Sequence, residues 1–215
     1  MRISFNSIYV ADPFFSIWSA IACIALLVLG RRSHSRKTWW RFGLIMSALY
    51  LGYCSVNKWK IDSDVNRILH KQAIVHSRYF TTPAPLQNWL WFVVAGNDEG
   101  YYVGFRSLFD SQKKIDFQYF PRNDSLLKPI LGNEDLLKLI RFSKQFYTVE
   151  KYGDSLVFND LRFGQIIGWK DPTEKFAFHY FLDYPNDNKL VVQRGRFARW
   201  DWQVAKSLMK RAAGN

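Results

Sequence analysis

The residues best equipped for chemistry in this sequence are four histidines, His34, His70, His76 and His179, set among a modest number of carboxylates. Imidazole nitrogens and carboxylate oxygens can hold a divalent ion when several converge. His70 and His76 with Asp62 or Asp64 make the nearest such combination, and His70, His76 and Asp64 are the candidate ligands. Positions 70 and 76 fall on different faces of a continuing helix, so solvated or lightly packed histidines are the competing reading. The segment DYPNDN, Asp183 to Asn188, offers oxygen ligands but lacks the glycine and terminal Glu of an EF-hand loop, which makes it a hairpin turn. Asp98 and Glu99 in GNDEG read as an exposed turn for the same reason of context. None of H-E-x-x-H, G-x-S-x-G, a Walker loop, G-x-G-x-x-G or C-x-x-C occurs.

A second group is basic and aromatic. Arg194, Arg196, Arg199, Trp200 and Trp202, with Lys206, Lys210 and Arg211, interleave cations and rings near the C-terminus. Such a pattern can contact phosphates and stack on bases, or sit at lipid headgroups. The competing reading is a solvated helix face with Trp200, Val204 and Leu208 packed inward. Nucleic acid is not expected as a partner. The whole chain carries 30 Lys plus Arg against 18 Asp plus Glu, a net charge of +12, which permits contact with any anionic partner without ranking them.

The elements that must position these residues begin with two apolar runs. Pro13 to Gly30 holds 18 consecutive uncharged residues, and Phe42 to Asn57 holds 16, with Trp39, Trp40 and Trp59 flanking the second. These read as an N-terminal transmembrane helical hairpin over residues 1–60. The loop 31–41 contains Arg31, Arg32, Arg36, Lys37 and Arg41 and no acid. The positive-inside rule then places it in the cytoplasm of a bacterium, with the lipid bilayer as a partner and the domain 61–215 in the periplasm. Flanking charges and the lack of an A-x-A site argue against a signal peptide. Asp12 before Pro13 suits a helix cap first, and second a carboxylate facing a site built with neighbouring helices. Cys23 and Cys54 lie in apolar stretches and are too few for a disulfide framework.

Over residues 61–215 the fold class is α+β, a mainly antiparallel β-sheet domain with a few helices. Ile61, Val65, Ile68 and Leu69 recur at helical spacing and extend the second helix to about Ala73. TTPAPLQN gives an extended approach, after which Trp89 to Ala95 and Tyr101 to Phe105 form a hairpin around GNDEG. Further strands are IDFQYF, FYTVEKY, SLVFNDL, KFAFHYFLDY and KLVVQRGRF, joined by turn signals too short for helical crossovers. Helices are expected near Asp124 to Leu131, Asn133 to Gln145 and Arg199 to Ala212.

Several of these segments, ADPFFSIW, RYFTTPAPLQNWLWFVVAGNDEGYYVGFRSLFD and IDFQYFPRN, resemble the C-terminal half of bacterial inner-membrane-associated metal-dependent hydrolases of the YdjM-like kind. The resemblance implies a divalent metal as cofactor, held chiefly by an N-terminal half that has no counterpart here. It implies a separate N-terminal transmembrane half, or a homo-oligomer, as partner. Asp12 and Pro13 map onto the family's Asp-Pro element, and Arg78, Thr82, Pro83, Pro85 and Trp91 onto its R-x-x-T-x-P-x-P…W stretch. Arg78, Trp91 and Asp12 are therefore the candidate binding residues. Two functional expectations result: a portion of a membrane-bound metal-dependent hydrolase, inactive alone, localised at the inner membrane, or a noncatalytic membrane-tethered binding or sensing domain.

Overall fold

The first helix, α1 (Pro13–Val28), begins where the sequence sets a carboxylate before a proline. Asp12 accepts hydrogen bonds from the amides of Phe14 at 2.9 Å and Phe15 at 3.4 Å, donors with no intrahelical partner of their own. In the computed structural model, which describes residues 6–30, 32–153, 155–182 and 201–214, α1 ends as Leu29 turns extended. Arg36 reaches back and donates to the Leu26 and Leu29 carbonyls at 2.6 and 2.9 Å, closing the C-terminal end. The second helix, α2 (Arg36–Lys71), then runs antiparallel along the first. A Cβ on Gly43 would stand 2.6 Å from Ala22 Cβ, so glycine is what lets the two backbones approach. Ser19 and Ser47 share a hydrogen bond of 3.0 Å across the same seam.

This pair corrects the expected transmembrane hairpin. Among the described residues no helix is long and apolar enough to cross a membrane. The 18-residue uncharged run contains a helix of only 16 residues, about 24 Å at 1.5 Å per residue, against a hydrocarbon core of about 30 Å. The 36-residue α2 has the length, but cations occupy its first turns and Lys58 and Lys60 its middle, and Gly43, Ser47, Gly52, Ser55 and Asn57 dilute the run between.

The second half of α2 serves a different surface. Ile61, Val65, Ile68 and Leu69 are fully buried against Trp91, Val93, Ala95 and Ile115. Their partners lie on one face of a four-stranded antiparallel sheet in the order β1 (Arg78–Pro83), β2 (Leu90–Gly96), β3 (Gly100–Ser107), β4 (Gln118–Pro121). Side chains alternate across a strand, so Phe92 and Val94 face the other way, onto Tyr101, Val103, Leu161 and Phe176. β2 is buried at every position because it is covered on both faces, the condition its unbroken apolar run requires. The β2–β3 hairpin falls where the strand and turn signals set it, whereas β1 occupies part of the segment expected only as an extended approach.

A second antiparallel sheet contains β5 (Tyr147–Tyr152), β6 (Ser155–Gln165) and β7 (Phe176–Phe181). A 3₁₀ helix (Asp124–Ile130) and α3 (Glu134–Phe142) cover it through Leu127, Leu136, Tyr147, Val149 and Phe158. Asn133 caps α3 through the amides of Asp135 and Leu136. The last helix, α4 (Trp202–Ala212), is capped by Asp201 and sets Leu208 and Ala212 against Ala84 and Leu90. The expected strand KLVVQRGRF, the turn Asp183 to Asn188 and the residues Arg194, Arg196, Arg199 and Trp200 lie outside the described residues. The class is α+β with two antiparallel sheets.

Arg122 joins the two sheets. It is 6% exposed and donates to Asp98 at 2.6 Å, Asp124 at 3.0 Å, Gln145 at 3.0 Å and the Tyr147 hydroxyl at 2.7 Å. Burial pushes the Tyr147 hydroxyl up to about 12, against the opposing pull of the Arg122 guanidinium. Below pH 10 the phenol is neutral whether the chain is folded or not. Between about 10 and 12 the unfolded phenol ionises first, binds fewer protons, and the folded state loses stability as pH rises. Resistance to denaturant is therefore expected to fall across that alkaline window, and Tyr147→Phe to flatten the dependence.

Candidate functional site

The residues expected to bind do not meet in one place. Trp91 has no exposed surface, and its indole donates to the Asn88 carbonyl at 3.2 Å. Arg78 lies at the sheet margin and shares Asp98 Oδ1 with Arg122, each guanidinium at 2.6 Å. Asp12 is 2% exposed at the base of the helical pair, where it also accepts from the Tyr50 hydroxyl at 2.9 Å. Burial and that bond both hold Tyr50 protonated well above the usual tyrosine range. Beside it, burial pushes the Cys54 thiol up to about 11, which makes it a poor nucleophile at neutral pH.

His70 and His76 do come together, with ring centroids 6.2 Å apart, where the chain leaves α2. Tyr79 stands edge-on to His76 at 5.9 Å, and His76 Nδ1 engages the Ile74 carbonyl at 2.9 Å. The carboxylates that would complete a metal site are committed elsewhere. Asp64 takes Arg106 at 2.7 Å, and Asp62 takes Lys58 at 2.8 Å together with the Thr81 hydroxyl. Among the described residues no group of three or more His, Cys, Asp or Glu could hold a metal ion. Among the described residues, then, His70 and His76 stand together while Asp64 is turned to Arg106 instead of to them.

What the structure offers instead is a surface. Within α1 only Ala22 is buried, and in α2 as far as Asn57 only Gly43, Ser47, Cys54 and Asn57 are. Many of the remaining apolar side chains point outward: Ile24 is 61% exposed, Leu27 85%, Leu44 61%, Ile45 58% and Leu49 62%. Exposed apolar side chains spread along both helices exceed what an unpartnered protein surface carries.

The two ends of this apolar stretch differ. At the base, Phe14, Tyr50, Tyr53 and Trp89 make an aromatic collar, with Trp89 Nε1 donating to the Tyr53 hydroxyl at 3.0 Å and Phe14 at 5.5 Å from the Trp89 ring. Asn57 donates to Asn88 at 3.0 Å, and Asn88 to the Ser7 carbonyl at 2.7 Å, which ties the helices and the leader to the domain. At the tip, Arg32, His34, Lys37 and Arg41 are exposed, and Arg41 lies 5.5 Å from the Trp40 ring. The amide chain Asn57–Asn88 and the hubs Arg106 and Arg122 were not singled out by sequence reasoning. Asn57 at the end of an apolar run was their one visible signal.

Taken together, fold and surface define an α+β protein whose N-terminal helical pair stands out with an apolar exterior. No family model matches this chain, and no curated protein or solved structure does either.

Proposed function

We propose that this chain is a noncatalytic binding module that associates with a lipid surface through the outer flanks of α1 and α2 and holds its two-sheet domain beside that surface. The observation carrying the reading is the line of outward apolar side chains, Ile24, Leu27, Leu44, Ile45 and Leu49, none of which is covered by the described residues of the domain. Burial of one such leucine side chain is worth about 1.5–3 kcal/mol, so several together supply ample partitioning energy. The aromatic collar supports lipid over a second protein as the covering phase, because Trp and Tyr favour the boundary where a ring is apolar and its N–H or O–H is wet. The reading asks for lipid contact along the helix flanks and not for a helix that crosses.

Co-flotation of the purified chain with vesicles tests it, using Leu44→Gln with Leu49→Gln as the disrupted form. Both positions are exposed, so the variant is expected to keep its circular dichroism spectrum while partitioning falls by about a hundredfold or more. Cys23, exposed on α1, supplies an independent reporter in a Cys54→Ala background. Vesicles are expected to shield it from a charged, water-borne maleimide. Unchanged labelling with no flotation, accompanied by self-association, would move the covering role to a second copy of the chain.

A further inference from the structure

We infer that the tip of the helical pair selects anionic phospholipid headgroups through Arg32, Lys37 and Arg41, an inference that rests on the lipid-associating reading above. From Pro13 to Ile61 the sequence contains no Asp or Glu, so no acid within the stretch itself neutralises its cations. Not every cation there is available. Arg36 is spent on the Leu26 and Leu29 carbonyls, and Lys58 on Asp62 and Thr81.

Arg32, Lys37 and Arg41 are exposed and make no ion pair among the described residues. The cations are concentrated at the tip, where Arg32, Lys37 and Arg41 stand exposed, whereas toward the base Asp12 is bound into the fold, Lys58 is paired and Lys60 is a single exposed lysine. Arg41 lies over Trp40, placing a guanidinium beside an indole that is 45% exposed, a combination that keeps the cation at the headgroup level while the ring meets apolar chains. Lipid is the polyanion that fits, because the same helices present the apolar flanks immediately behind these cations; a soluble polyanion would leave those flanks in water.

Each Lys or Arg held near an anionic surface contributes enough for three to tighten binding by about a hundredfold over a neutral surface. The test compares flotation on phosphatidylcholine vesicles with flotation on vesicles containing phosphatidylglycerol, for the full chain and for Arg32→Gln with Lys37→Gln and Arg41→Gln. The full chain is expected to prefer the anionic vesicles by about a hundredfold at low salt. The preference should shrink as salt screens it and fall to a few-fold in the triple variant, which keeps binding to neutral vesicles. Equal binding to both vesicle types overturns this inference and leaves the lipid reading standing. A triple variant that retains the full preference also overturns it, since the selecting charge would then lie elsewhere. Binding to neither vesicle type overturns the lipid reading itself.

Discussion

Trp91→Ala is expected to lower the unfolding free energy by about 3–5 kcal/mol, while Arg78→Ala costs about 1 kcal/mol or less. The two were read from the sequence as partners in one binding element, and their surroundings separate them. The Trp91 side chain is wholly buried between β2 and the second half of α2, among Ile61, Val65, Ile68 and Leu69. Truncating it opens a cavity that the stiff sheet and helix can only partly close. Arg78 pairs with an Asp98 that is 76% exposed, and Asp98 keeps Arg122 when Arg78 is gone. Urea titration in mild detergent, followed by far-ultraviolet circular dichroism, measures both. A small loss at Trp91 would mean that the indole is not a packing element, and would return it to the list of residues poised for a ligand.

Arg106→Met is expected to cost about 3 kcal/mol, a large effect for a single polar side chain, because it strands groups that have little water to turn to. Arg106 is 5% exposed and donates to Asp64 at 2.7 Å and to the Gln112 carbonyl. It also stands 3.5 Å from Asp110, a carboxylate 3% exposed at its side chain and shared with Arg211 of α4. One guanidinium thus fastens α2, β3 and the loop beneath α4. Asp64→Asn should cost less, about 1 kcal/mol, since its side chain is 24% exposed and the amide still accepts from Arg106. The same urea titration ranks the two substitutions, and an Arg106→Met variant as stable as the parent would remove the pair from the account of how α2 is held.

Much of this architecture was legible in the order of residue types. WLWFVVA, GNDEG and YYVGF carry strand, turn and strand signals in register, and they form β2 and β3. Asp12 before Pro13, and Asn133 before an apolar helix face, announce their caps. β1 was hidden because Thr82, Pro83 and Pro85 read as a rigid approach; Pro83 is tolerated at the last strand position, opposite Trp91. The membrane-crossing expectation failed on a different physical point: an uncharged run measures the absence of charge, whereas spanning requires helix length and mean hydropathy together. Leu29 ends α1 early, and small and polar residues dilute α2. The contact of Arg106 with Asp64, 42 positions apart, belongs to tertiary structure and leaves no local trace. The pairing of Asp62 with Lys58 and of Asp64 with Arg106 had no sequence signal that would have set them apart from His70 and His76.

The 36 residues of α2 form one uninterrupted rod of about 54 Å, with its first half among outward apolar side chains and its last turns locked under β2. No proline lies within it, and the helix is continuous from Arg36 to Lys71. A rod of that kind acts as a lever arm. A tilt of about 10° at the end near Arg36 sweeps the end near Lys71 sideways by about 9 Å, and the four-stranded sheet packed on it has to follow. Under the proposed lipid association, a change in how the helices rest would therefore reach the four-stranded sheet as a rotation about the far end of the rod.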